Sequence, residues 1–207
     1  MYARSNIIRG NPAAVDAGIE HVRTDLWPML QGMSGCVGMS MLADRDQGRS
    51  IVTTAWADES ALHASAEAVQ DSRRRAAEAM RADSIEVSEW QISLVHRMHP
   101  SASGAATRVI WTDLAPGSAD GLADNVRTGL LSKLEEIPGF CSISLLTDLT
   151  GEHAVAAVTY DSRDAMMRSR EQAAALRDGA GPSMGMSITA VDEFDLVVAH
   201  LRVPEMA

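Results

Sequence analysis

His96 and His200 are the side chains of this sequence best suited to moving a proton, because an unperturbed imidazole titrates near neutral pH. Each stands six residues after an aromatic, Trp90 or Phe194, at the end of an apolar run. A histidine so placed fits a general base that deprotonates a phenol or hydroquinone, whose anion then passes an electron to dioxygen without a cofactor. The alternative is a strand-end histidine satisfied by a nearby carbonyl or carboxylate. The chain has only four Trp, two Tyr and two Phe. Trp56, Tyr160, Trp90, Phe194 and Trp111 therefore hold most of its aromatic surface, which suits either a flat aromatic ligand or core anchoring. Arg4 and Arg108 carry permanent charge that fits a carboxylate or phenolate. Together with Arg23 and Arg127 they suit equally well a structural pairing with Asp16 and Asp120.

Other chemistries find little support. His96 and His99 form an H-x-x-H pair that straddles a strand end, and no further His or Cys cluster accompanies it, so no metal is expected. Cys36 and Cys141 read as buried, reduced thiols. The sequence has no Gly-rich phosphate loop, dinucleotide fingerprint or serine elbow, so no cofactor is expected. With 18 basic and 28 acidic residues the formal charge is 18 − 28 = −10. An acidic chain is a poor partner for nucleic acid or an anionic membrane. Its one basic run, Arg73, Arg74 and Arg75, reads as a solvated helix face. No apolar stretch approaches the ~20 residues of a membrane span, and the N-terminus lacks a signal peptide's apolar core, so the expected location is cytoplasmic.

The elements that must position these residues are duplicated. Shifted by 104 residues, 3–97 align with 107–201 without a gap, and 21 of the 95 positions are identical, about three times the number expected from composition. The matches include Arg4/Arg108, Pro12/Pro116, Gly35/Gly139, Ser65/Ser169, Arg73/Arg177, Glu89/Glu193 and His96/His200. We read a first repeat over 1–98, a small polar linker over 99–106 and a second repeat over 107–207. Each repeat reads strand, helix, strand, strand, helix, strand. Asn11-Pro12 signals a helix start, and Val15, Ile19, Val22, Leu26, Leu30 and Met33 recur at helical spacing. Pro28 predicts a kink in the first copy only, because Ser132 replaces it in the second. Gly35 and Gly139 predict left-handed helix ends. A βαββαβ unit folds both helices onto one sheet face and leaves the other face to be covered. The fold class is therefore α+β, with two tandem ferredoxin-like repeats packed sheet to sheet into an intrachain α+β barrel.

This pattern resembles the antibiotic biosynthesis monooxygenase domains of the dimeric α+β barrel superfamily. The likeness rests on the βαββαβ order, on MSGCVGMSMLAD and IPGFCSISLLTD after the first helices, and on VTTAWADES and AVTYDSRD leading into the second. The resemblance implies cofactor-independent monooxygenation of a small aromatic or quinone-like molecule, with a non-catalytic ligand-binding or interaction protein as the alternative. It also implies a ligand or oxygen contact for Asn6, whose counterpart in the second copy is Ile110. Haem-degrading relatives carry a tryptophan and a histidine where this chain has Ser65 and Arg75, or Ser169 and Gly179, so haem degradation is not expected. Single-copy members dimerise, so a tandem chain is expected as a monomer with an intrachain barrel or as a homodimer.

Overall fold

The computed structural model describes residues 1–201 and 203–205. The strands are β1 (Tyr2–Arg9), β2 (Cys36–Asp44), β3 (Arg49–Trp56), β4 (Ser84–Arg97), β5 (Ala106–Leu114), β6 (Phe140–Asp148), β7 (His153–Tyr160) and β8 (Met186–Leu201). The first repeat contributes α1 (Val15–His21), α2 (Trp27–Gln31) and α3 (Glu59–Ala79). The second contributes α4 (Ala119–Gly129), α5 (Leu131–Glu135), α6 (Arg163–Arg168) and α7 (Arg170–Ala180). The protein is α+β, built of two ferredoxin-like repeats, and its antiparallel strands hydrogen-bond in the order β1-β3-β2-β8-β5-β7-β6-β4, which closes into a barrel.

The chain divides into two compact units, Met1–Trp90 with Leu196–Val203, and Gln91–Asp195 with Pro204–Ala207. The late halves of β4 and β8 are thus grouped with the opposite repeat, a division that differs from the linker-based boundary at 99–106. Each unit has its own core. In the first, Ile8, Val15, Leu30, Met39, Met41, Trp56, Leu62 and Met80 are buried together. In the second, Leu122, Ile143, Leu145, Tyr160 and Met166 form the corresponding cluster. Burying one such aliphatic side chain contributes about 1.5–3 kcal/mol.

Local signals explain the element ends. Asn11 caps a short 3-10 turn at Pro12–Ala14 by accepting the Ala13 N–H. Asp58 caps α3 through the Ala61 N–H at 2.8 Å, and Ser162 caps α6 through the Ala165 N–H at 3.1 Å. Both copies break their first long helix, so the break is not confined to the copy with proline. In the first copy a π-helical stretch, Val22–Leu26, precedes Pro28 and accommodates its missing N–H. In the second the break falls at Leu130, where φ is −121° and ψ −32°; Ser132 is already inside α5, and nothing in the structure explains the break.

Gly35 and Gly139 adopt φ of 77° and 82° at the turns into β2 and β6. A Cβ on Gly35 would collide with Ala61, and one on Gly139 would lie 2.6 Å from the Ala165 Cβ. Both conformation and space therefore demand glycine. We expect Gly139→Ala to cost roughly 1–3 kcal/mol and to lower Tm by several degrees. Gly179→Ala, within α7 and with no atom within 4 Å of the added Cβ, should leave Tm unchanged or raise it slightly. Thermal denaturation of the two variants checks this contrast.

Candidate functional site

Each unit is organised around a buried arginine on its first strand. Arg4 donates from Nε and Nη2 to Glu89 Oε1 at 3.0 and 2.7 Å, from Nη1 to Ser65 Oγ at 2.7 Å, and from Nη2 to the Leu62 carbonyl at 2.9 Å. Arg108 repeats the pattern with Glu193 Oε1 at 3.1 and 2.9 Å, Ser169 Oγ at 3.2 Å and the Met166 carbonyl at 2.7 Å. It also donates to Tyr160 Oη at 3.2 Å. Neither arginine pairs with Asp16 or Asp120. The partners are the acidic residues on β4 and β8, and the arginine fork matches a carboxylate in a way that a point charge does not. Ser65 and Ser169, the positions where haem-degrading relatives carry tryptophan, serve here as arginine acceptors.

Next to each arginine, between the sheet and the helices, lies a cavity. In the first unit Arg4, Asn6, Val52, Val69, Ser72 and Arg73 are among its walls, and it encloses about 30 Å³. That volume accommodates water-sized occupants. The second unit's cavity encloses about 80 Å³. Its walls are mostly alkyl, among them Ile110, Val126, Leu130, Leu134, Leu145 and Val158, with Arg108, Thr112, Tyr160 and Arg177 as polar members. Two repeat positions account for part of the difference. Val52 and Val69 of the smaller cavity correspond to Ala156 and Ala173 of the larger one.

The cavities sort the residues singled out above. Arg4 and Asn6 line the first; Arg108 and Tyr160 line the second. Trp56 faces the helices but is locked in the core, its Nε1 donating to Thr54 Oγ1 at 3.1 Å. Trp90 donates to Ser5 Oγ at 2.8 Å; Ser5 alternates with Arg4 and Asn6, so Trp90 lies on the face away from the cavity. Phe194 pairs with Thr107 rather than Arg108, and Trp111 sits between the cavity residues Ile110 and Thr112. Both therefore face away as well. His96 is not among the residues lining either cavity. Its Nε2 lies 2.8 Å from Glu135 and its Nδ1 2.9 Å from Glu205. His200 stacks on Trp27, ring centroids 4.4 Å apart.

Arg73 corrects the reading of its run as a solvated face. Arg74 and Arg75 are exposed and pair with Asp71, but Arg73 turns into the cavity and donates from Nε to Asn6 Oδ1 at 2.7 Å. Its counterpart Arg177 has no such acceptor, since Asn6 is replaced by Ile110, and its buried Nη1 has no hydrogen-bond partner. Burial and the nearby Arg108 charge hold the Arg177 guanidinium below its ordinary pKa. The signal in the sequence was the Arg73/Arg177 identity together with the helical spacing that places 69, 73 and 76 on one face. A second grouping had no sequence signal: donor atoms of His99, Cys141 and Asp161 lie within 4.8 Å of one another, brought together across 42 and 20 residues.

No known family profile matches the chain. It is 45% identical over 207 residues, all of this chain and 87% of the relative, to the uncharacterized protein Rv2558 of Mycobacterium tuberculosis. It is 43% identical over 206 residues, all of this chain and 92% of the relative, to the uncharacterized protein Rv2557 of the same organism. The chain belongs to the family of these two proteins. Among solved structures, an anthrone oxidase-like protein is similar with a TM-score of 0.68 and 14% identity, covering 100% of this chain and 95% of that one. A Listeria monocytogenes ferredoxin-fold protein related to antibiotic biosynthesis monooxygenases is similar with a TM-score of 0.54 and 10% identity, covering 94% of each chain. The chain therefore shares the fold of these two structures.

The arginine node generates two expectations. Arg108→Met leaves Glu193 Oε1 without its donor while Oε2 keeps Arg170, and breaking such a largely buried pair costs up to about 3–5 kcal/mol, so the variant should unfold at a markedly lower denaturant midpoint. Burial raises the Glu193 pKa, but hydrogen bonds from Arg170 and Arg108 and their charges outweigh it, and the net shift is downward. A carboxyl depressed on folding contributes stability above its unfolded pKa and loses it as pH falls through the folded value. Glu193→Gln should therefore be less stable than the parent at neutral pH, and the gap should close as pH falls below about 4.3, the ordinary glutamate pKa. Melting curves between neutral and acid pH measure the gap.

Proposed function

We propose that the second unit's cavity binds a small hydrophobic molecule, aromatic or quinone-like, and that the chain oxidises it with dioxygen as a cofactor-independent monooxygenase. The observation that carries the binding reading is the larger, mostly alkyl-walled cavity whose polar members are Arg108, Thr112, Tyr160 and Arg177. Apolar walls with a few convergent polar groups are the ordinary form of a small-molecule site. Oxidation is supported by the family resemblance and by the anthrone oxidase-like structural neighbour. In such a reaction the substrate is its own reductant: a ring CH2 gives up both hydrogens and becomes C=O with one oxygen atom, and the other oxygen atom leaves with those hydrogens as water. Among the cavity's lining residues Tyr160 holds a phenolic proton, more acidic than the Thr112 hydroxyl, and it belongs to this site more directly than His96, His200 or Asn6.

The paired substitution Ala156→Val with Ala173→Val installs the first repeat's side chains in the second cavity. It should weaken binding of menadione, followed by quenching of intrinsic fluorescence, about tenfold or more, the cost of lost space for two to four methyl-sized groups. Anthrone then tests turnover by oxygen uptake. Tyr160→Phe should slow uptake, whereas the double variant His96→Ala with His200→Ala should leave it unchanged. Uptake lost only in the histidine variant would move the chemistry out of the cavity. Binding without uptake by any variant favours the non-catalytic ligand-binding alternative.

A further inference from the structure

The two cavities share a frame but differ in how they treat the same arginine. In the first, Asn6 Oδ1 accepts the Arg73 Nε at 2.7 Å and the guanidinium is tied to the protein. In the second, Ile110 takes the asparagine's place, and the buried Arg177 Nη1 has no hydrogen-bond partner. A buried donor of a charged group without an acceptor is costly. The neighbouring charges relieve it only in part: Asp178 and Glu193 favour the charged guanidinium, Arg108 opposes it, and none of them accepts a hydrogen bond from Nη1. Glu193 gives Oε1 to Arg108 and Oε2 to Arg170 at 2.6 Å, so one carboxylate already faces two arginines and Arg177 adds a third positive charge. Every N–H of Arg108 is engaged with Glu193, Tyr160, Ser169 or Met166, which leaves Arg177 as the cationic group in that cavity with a donor to offer, beside the neutral hydroxyls of Tyr160 and Thr112.

Building on the binding reading above, we propose that the second unit's cavity is a site for a small apolar carboxylate, one per chain, whose head group pairs with Arg177 and whose hydrocarbon part lies against Leu134, Leu145 and Ile188. Three arguments select this class. A planar guanidinium presents paired donors that match the two oxygens of a carboxylate. A carboxylic acid is fully ionised at neutral pH, whereas a phenol, with a pKa near 10, would have to give up a proton to supply the anion. The stoichiometry follows from the first repeat, where Asn6 accepts the Arg73 Nε–H and only about 30 Å³ is enclosed.

The test compares 2-naphthoate with its neutral isostere 2-naphthamide by titration calorimetry on the full chain at neutral pH. We expect one naphthoate per chain, bound about tenfold to a hundredfold more tightly than the amide, the range of a charge-assisted hydrogen bond. Arg177→Met should reduce naphthoate to the affinity of naphthamide without abolishing the latter. Ile110→Asn, which gives Arg177 the acceptor that Arg73 has, should do the same, while Arg73→Met should leave the preference intact. Should Ile110→Asn fail to fold by circular dichroism, Arg177→Met carries the comparison alone. Equal binding of acid and amide, a preference that survives Arg177→Met, tighter binding of 2-naphthol than of 2-naphthoate, or two sites per chain each overturn the carboxylate assignment and leave the hydrophobic-site reading standing. Binding of none of these compounds overturns both.

Discussion

A buried guanidinium that must be neutralised is the constraint from which the rest of each unit follows. Arg4 and Arg108 are 2% and 1% exposed, and at that depth an uncompensated charge would cost several kcal/mol. Compensation needs acceptors from three directions at once. They come from the last strand through Glu89 or Glu193, and from the second helix through a serine hydroxyl and a backbone carbonyl one turn earlier. First strand, second helix and last strand are thereby fixed to one another at a single point in each repeat. The same four positions recur at the 104-residue offset, so the node is part of the duplicated unit and not an accident of one copy.

Around that frame the two cavity linings differ at several repeat positions, with Ser72 of the first replaced by the larger Leu176 in the second, and Val52 and Val69 by alanines. The first has filled its cavity: Val52 and Val69 supply bulk, and Asn6 takes up the inward-facing arginine. The second substitutes Ala156, Ala173 and Ile110, which removes volume on two walls and withdraws the acceptor on a third. Neither change disturbs the node, because the residues involved face the cavity and not the Arg–Glu pair. A duplicated scaffold thus permits one half to hold a larger cavity and an unsatisfied donor, whereas a symmetric dimer of identical single units would place the same features in both halves.

The histidines illustrate where reading by residue type reached its limit. The duplication of His96 and His200 drew attention to proton transfer, yet the two have unlike surroundings: a pair of carboxylates for one, the Trp27 ring for the other. Identity across the repeat preserved the residue type and not its environment. Arg73 shows the converse. Read with Arg74 and Arg75 it was one of three surface charges, but helical geometry separates neighbours by about 100°, and the first of the three turns inward.

The sequence by itself determined the duplication, the βαββαβ order, the α+β class, the caps at Asn11 and Asp58 and the glycines at 35 and 139. Each of these is written in local patterns or in a fixed offset, and local backbone sterics and periodicity enforce them wherever the chain goes. The tertiary structure alone decided that Arg4 meets Glu89 across 85 residues, that Trp90 and Trp111 turn away from the cavities, that the two halves enclose different volumes, and that Arg177 is left without its Asn6. Those outcomes depend on which side chains are brought within 3 Å of one another by strand register and helix rotation, and on space measured after packing, quantities that no spacing along the chain encodes.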